Sequence, residues 1–308
     1  MAIYLVTQAT GQQSQLVITY LLEAGATVHA VVRDPQKIPP VLERPGITVF
    51  KGESNNFEAI FQAAQGCIGV FLNTFPIPGL EGQQAKTVVE ACKKAGVETI
   101  VASTTMGTGN KAMWDNAETE ECQLHDYFRS KAEVEDAVRG AGFKAYTILR
   151  PGFIDFDYLL PSAPHNYPEL PVTGELVHSF DDGAGMVHTG GHDVGKYAVA
   201  AFQNPTKFGG QEIELGNELL TPEKARDILA RVSGRNVRVR KRTTEEVEEA
   251  KVTLFTQRFQ LWSNITNFGP IVTKVEEVQA KYGIPFTSLE ESLQRDKNRL
   301  LQCLPSQI

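Results

Sequence analysis

The chain has 308 residues, of which 42% are apolar and 22% charged, with a formal net charge of −7. These proportions suit a globular protein of one large or two modest domains. The acidic balance argues against nucleic acid or an anionic membrane surface as a partner, and no apolar run is long enough to span a bilayer.

Four scattered cysteines form no CxxC pair, and six histidines show no metal-ligand spacing. A reduced compartment, the cytoplasm, and the absence of a metal centre are therefore expected. Ala2–Val6 is short and lacks basic flanks, so no secretory signal is expected there.

The first 33 residues carry the most information. Ala2–Val6 reads as a strand, Thr7–Ser14 as a tight turn, the stretch to Ala24 as an amphipathic helix closed by Gly25, and Thr27–Val32 as a second strand ending at Arg33. Strand, turn, helix and strand in that order open a dinucleotide-binding βαβ unit. A pyrophosphate there needs backbone N–H groups at the helix N-terminus, which makes Thr10, Gly11, Gln12 and Gln13 the expected cofactor residues.

The usual turn carries three glycines. Here only Gly11 remains, with Gln8 and Ser14 at the other two positions. Gln8 suits this turn if its φ is negative, and Ser14 offers a hydroxyl to the ligand. A basic residue at the tip of the second strand suits a ribose 2′-phosphate, so Arg33 points to NADP(H) rather than NAD(H).

Further strands are expected at Ile47–Gly52, Gly69–Thr74, Thr99–Thr104 and Lys144–Arg150. Helices are expected at Asn56–Ala64, Leu80–Ala95 and Cys122–Gly140. The alternation implies a Rossmann-type α/β fold, a doubly wound parallel sheet over residues 1–150, with ligands at the C-terminal strand edge.

Met106–Glu121 reads as a mobile loop beyond the fifth strand. Residues 151–186 are rich in Pro, Gly and Asp and read as a long functional loop. A strand at Gln211–Gly216, a helix from Thr221 to Val232, and helices over Thr243–Trp262 and Ser288–Leu304 complete a smaller, irregular α+β substrate region at 151–308. Alternating Val and Arg in Val237–Arg242 suits a charged edge strand rather than a nucleic-acid site. Phe255, Phe259 and Trp262 form one helical stripe suited to core packing.

Tyr127 and Lys131 stand four residues apart on the helix before the sixth strand and share one face. An ammonium beside a phenol favours the phenolate and brings Tyr within reach of proton transfer near neutral pH. Ser103, Thr104 and Thr105 end the fifth strand at the ligand edge; Thr104 is the favoured hydroxyl for orienting a substrate carbonyl.

Together, the opening turn, Arg33-Asp-Pro, the strand ending in Ser-Thr-Thr, Tyr127-Phe-Arg-Ser-Lys131-Ala-Glu-Val-Glu and Leu149-Arg-Pro-Gly-Phe153 resemble the NmrA-like group of atypical short-chain dehydrogenases/reductases. His192-Asp-Val-Gly195 and Leu220-Thr-Pro-Glu resemble that family's later half. The resemblance implies that Asn73, Thr74 and Phe75 line the cofactor, that Glu53 and Ser54 sit near the adenine, and that Pro151, Gly152 and Phe153 back the nicotinamide. It implies an NADPH-dependent reductase of a small carbonyl or conjugated substrate. Tyr127 would be the proton donor, and Lys131 would tune it and hold the nicotinamide ribose. The family also includes NADP(H)-sensing regulators that bind a partner protein without catalysis. Those typically lack the tyrosine, which this chain has.

Overall fold

The computed structural model describes residues 1–306. They fall into two compact units. One comprises residues 1–109, 126–151 and 192–214, the other residues 110–125, 152–191 and 215 onward.

The first unit is built on seven strands: β1 (Ile3–Val6), β2 (Thr27–Val32), β3 (Ile47–Lys51), β4 (Gly69–Leu72), β5 (Thr99–Ser103), β6 (Ala145–Arg150) and β7 (Gln211–Glu214). They pair in the order β7-β6-β5-β4-β1-β2-β3, every pair parallel. The longer helices of this unit are α1 (Gln12–Glu23), α2 (Phe57–Ala64), α3 (Leu80–Lys94), α4 (His125–Gly140) and α5 (Gly191–Gln203).

Parallel strands need crossovers, and helices in those crossovers bury the strands on both faces. All four residues of β4, Gly-Val-Phe-Leu, are accordingly buried. Leu5, Ile60, Val70, Leu72, Val88 and Ile100 belong to the continuous core beneath α2 and α3. Strand order reverses between β1 and β4, which makes their C-terminal ends the crevice where α/β sheets take ligands.

The division differs from a single cut at residue 150. After β6 the chain leaves the first unit, then returns through α5 to lay β7 along the open edge of β6, registering Gln211 with Thr147 and Glu214 with Arg150. An edge with unpaired N–H and C=O groups favours such an addition.

The second unit differs from the expected long loop. Residues 151–186 contain short helical turns at Asp155–Tyr158, Ala163–Asn166 and Leu170–Thr173 and a strand at Glu175–His178. Aromatic packing organises them: Phe153, Tyr158 and Tyr167 contact one another, and the Tyr158 and His188 rings stack 5.8 Å apart. Met106–Glu121 likewise holds a 3-10 turn at Lys111–Met113 and a short helix at Ala117–Glu121.

Arg238–Lys241 pairs in parallel with Glu175–His178, its arginines outward. Thr221 caps the helix Pro222–Ser233, as its Thr-Pro signal implies. The aromatic stripe is only partly core: Trp262 is buried, but Phe255 is 41% exposed because the chain breaks helix between Thr253 and Gln257.

Gly69 is a tight point in the first unit. A Cβ there would lie 2.5 Å from Thr99 Oγ1 and 2.9 Å from the Phe202 ring on α5. Gly69→Ala should therefore lose about 1–3 kcal/mol of stability, the usual cost of overpacking. Urea unfolding measures it; an unchanged midpoint would mean Phe202 and Thr99 yield without cost.

Candidate active site

The turn after β1 is built around Thr7, which is fully buried. Its amide donates to the Phe71 carbonyl at 3.1 Å, tying β1 to β4. Its hydroxyl donates to the Asn73 carbonyl at 2.9 Å and accepts from the Asn73 amide at 2.9 Å. Its carbonyl accepts from the Ser14 hydroxyl at 3.0 Å.

Ser14 is therefore not the ligand donor expected from sequence. It is fully buried and spends its proton on the first strand, filling the position where a glycine would let helix and strand approach. The Asn73 side-chain amide approaches the same hydroxyl at 3.4 Å.

Gln8 also departs from expectation. Its φ is +48°, in the left-handed region. The reason lies in the turn itself: the Gly11 amide closes onto the Gln8 carbonyl at 2.8 Å. A Cβ at Gly11 would sit 3.2 Å from that carbonyl oxygen, a tight approach. Gly11 is the N-cap of α1, and no side chain caps the helix. The helix N-terminus thus leaves backbone N–H groups and the positive end of its dipole for an anion.

Beside this turn lies a cleft lined by Gln8, Thr10, Val31, Val32, Arg33, Gly52, Glu53, Ser54, Phe75, Leu80 and Gln84. Five of these, Thr10, Arg33, Glu53, Ser54 and Phe75, are cofactor residues expected from the sequence. Arg33 is exposed and takes part in no ion pair among the described residues, so its guanidinium is available to an anionic ligand. Phe75 is 45% exposed, and its amide donates to Gln84 Oε1 at 2.9 Å, which pins the loop after β4 onto α3. Gln13 accepts from the Ser103 hydroxyl at 2.7 Å, so β5 orients this side chain at the start of α1.

The buried face of α4 carries two charges, Lys131 and Glu135. Lys131 Nζ donates to Glu81 Oε1 at 2.6 Å. The Thr74 hydroxyl donates to the same oxygen, also at 2.6 Å. The Lys131 ammonium lies 5.4 Å from the centre of the half-buried Tyr127 ring. Burial works to lower the Lys131 pKa; the neighbouring Tyr127, Glu81 and Glu135 outweigh it and hold the group above its ordinary value.

Glu135, one turn on, accepts from Arg150 Nε at 2.8 Å and Nη2 at 2.7 Å, and from Arg139 at 2.7 Å. Glu212 and Glu214 on β7 also bind Arg150. Gly109 packs on this guanidinium, where a Cβ would lie 2.4 Å away. Thr104 belongs to the same network: its buried hydroxyl donates to Glu135 Oε1 at 2.8 Å. The structure therefore does not leave the Thr104 proton for a substrate carbonyl, because a buried carboxylate is the stronger acceptor.

Tyr127, Lys131 and Thr74 are brought together, as are Arg33, Glu53, Ser54, Phe75 and Thr10. Pro151 closes the first unit, while Gly152 and Phe153 open the second, where the Gly152 amide donates to Thr189 and Phe153 packs on Tyr158, Tyr167 and His188. Sequence reasoning missed Glu81 and Gln84. Glu81 sits in the first turn of α3, where an acid is expected for the helix dipole alone. Among the described residues no cluster of His, Cys, Asp and Glu is arranged to hold a metal, and no helix is long and apolar enough to cross a membrane.

The model of the NmrA-like family matches residues 3–300. Among curated proteins, the chain is similar to quinone oxidoreductase 2 of Escherichia coli, 30% identical over 161 residues, 52% of this chain and 51% of that protein. It is also similar to dihydroflavonol 4-reductase of Hordeum vulgare, 33% identical over 126 residues, 34% of this chain and 35% of that protein. The chain thus spans between a third and about half the length of these relatives. Among solved structures, the NADPH complex of an Escherichia coli NADPH-dependent quinone oxidoreductase superposes with a TM-score of 0.71 at 22% identity, covering 96% of this chain and 100% of that one. The NADP complex of NmrA, a negative transcriptional regulator, gives 0.71 at 21% identity, covering 97% and 96%. At these identities the likeness is one of fold.

Left-handed backbone at a residue with a Cβ costs about 1–2 kcal/mol, partly offset by the greater unfolded-state freedom of glycine. Gln8→Gly should raise stability by a net ~0.5–1 kcal/mol in the ligand-free protein. A denaturant midpoint that falls instead would show that the Gln8 side chain supports the turn.

Proposed function

The chain belongs to the NmrA-like family, and from this and the geometry of its site we propose that it is an NADPH-dependent reductase of a quinone or a conjugated carbonyl compound. The observation that carries the reading is the arrangement on α4: Tyr127 half-buried, with a buried lysine beside its ring that is kept charged by a carboxylate. A protein that only senses the cofactor has no use for a paired tyrosine and lysine at that place.

The residues of the first unit fit a dinucleotide. Uncapped N–H groups of α1 suit the pyrophosphate, and Gly11 keeps the approach open. Arg33, exposed and unpaired, suits the 2′-phosphate, with Glu53 and Ser54 beside it for the adenosine end. NADPH, when bound, supplies the hydride.

The chain's own residues handle the proton. Tyr127 donates its hydroxyl proton to the oxygen that gains charge on reduction. Lys131 stabilises the resulting phenolate and holds the nicotinamide ribose. Thr104 acts at one remove, by satisfying Glu135 beneath the β5 edge. The similarity to quinone oxidoreductase 2 and to dihydroflavonol 4-reductase supports a planar conjugated acceptor.

NADPH oxidation, followed with a panel of quinones and conjugated carbonyls, tests this. The parent should turn over at least one of them, and Tyr127→Phe should be slower by about 10²–10⁴-fold with cofactor affinity kept. Equal rates in parent and Tyr127→Phe would remove Tyr127 from the mechanism. A parent inert to the whole panel, yet binding NADPH, would favour a regulator.

A further inference from the structure

Glu81 is fully buried. It lies in the first turn of α3 and approaches α4 from fifty residues away in sequence. One carboxylate oxygen, Oε1, accepts from both Lys131 and Thr74 at 2.6 Å. The other, Oε2, is buried without a hydrogen-bond partner. Glycine follows at position 82, where a Cβ would lie 2.9 Å from a carboxylate oxygen of Glu133 on α4.

A buried carboxylate with an unsatisfied oxygen is a poor device for stability alone. Removing an ion from water costs several kcal/mol, and the attraction of the partner compensates only when the remaining lone pairs are satisfied. Here they are not. A hydrophobic pair at 81 and 131 would serve packing better, so the arrangement points to a use for the charge itself.

We propose that Glu81 is a positioning residue for proton donation: it keeps Lys131 both charged and fixed beside Tyr127. This rests on the reductase reading above. The groups facing the Lys131 ammonium are Tyr127 and Glu135 from its own helix, Glu81 from α3 and, through the shared oxygen, Thr74 from the loop after β4. Three of these are anionic or can become so, and only Glu81 touches the ammonium in the described contacts. Burial works against the charge. Without Glu81 the lysine gives up its proton at lower pH, and the phenol loses the cation that stabilises its conjugate base.

The sign follows directly. Neutralising Glu81 lowers the Lys131 pKa, so the alkaline limb of the rate profile moves to lower pH. Thr74, by donating to the same carboxylate oxygen, ties this effect to the loop that also carries Phe75.

The test uses the full-length protein with lysine labelled at the ε carbon, and its Glu81→Gln and Glu81→Asp variants. The Lys131 ammonium is assigned by loss of its signal in Lys131→Met and titrated by NMR without cofactor. Glu81→Gln should lower its midpoint by about one pH unit or more. In NADPH-dependent turnover the alkaline limb should move down by a similar amount. Glu81→Asp keeps the charge on a shorter arm, so the limb should stay while kcat drops about tenfold and KM for NADPH rises.

A Lys131 midpoint and an alkaline limb both unmoved in Glu81→Gln would overturn the proposal. So would Glu81→Asp with parental kcat, which covers the case of Glu81→Gln failing to fold. A parent without turnover would instead overturn the reductase reading, and the NMR titration would still decide whether Glu81 keeps Lys131 charged.

Discussion

The ends of β1 and β4 are held together by one buried threonine. Thr7 gives its amide to Phe71, exchanges two hydrogen bonds with the backbone of Asn73 through its hydroxyl, and accepts from Ser14 with its carbonyl. This fixes the crevice where strand order reverses. It sets where α1 begins on one side and where Thr74 and Phe75 leave β4 on the other. From Thr74 the linkage runs through Glu81 to Lys131, and so to the face of α4 that carries Tyr127. The links from Thr74 and Lys131 to Glu81 are short and buried.

Two buried charge systems flank this crevice and differ in character. Arg150 is surrounded by Glu135, Glu212 and Glu214, with Arg139 and Thr104 completing the set. It joins β6, β7 and α4, and with Gly109 seated on the guanidinium it reads as a structural keystone of the sheet edge. The Lys131–Glu81 pair is smaller and less satisfied, with one oxygen orphaned. Unsatisfied buried polar atoms are costly.

Much of this was legible in the sequence, for physical reasons. Buried parallel strands leave continuous apolar runs, so all six strands through Arg150 were readable. The spacing of Tyr127 and Lys131 is a local property of a helix, and Arg33 is placed by its strand. What was not legible depends on contacts distant in the chain. Glu81 looks like any acid in a first turn until α4 packs on it. Ser14 and Gln8 were read as deviations in a glycine pattern; their roles are set by the Thr7 carbonyl and by the closure of Gly11 onto residue 8. The hydroxyl of Thr104 could be assigned only once Glu135 was seen beneath it. The return of residues 192–214 to the first sheet depended on a free edge at β6, which no local pattern announces, and residues 151–186 were masked by a composition that resembles loop but packs through aromatic rings.

Calorimetric titration of NADPH and NADH probes the cofactor cleft beside β2 most directly. Charge-assisted hydrogen bonds from Arg33 to a 2′-phosphate are worth about 1.5–3 kcal/mol. NADPH should therefore bind roughly tenfold to hundredfold more tightly than NADH. In Arg33→Ala that gap should close through NADPH alone, with NADH affinity unchanged. Equal affinities for the two cofactors in the parent protein, or binding of neither, would contradict it.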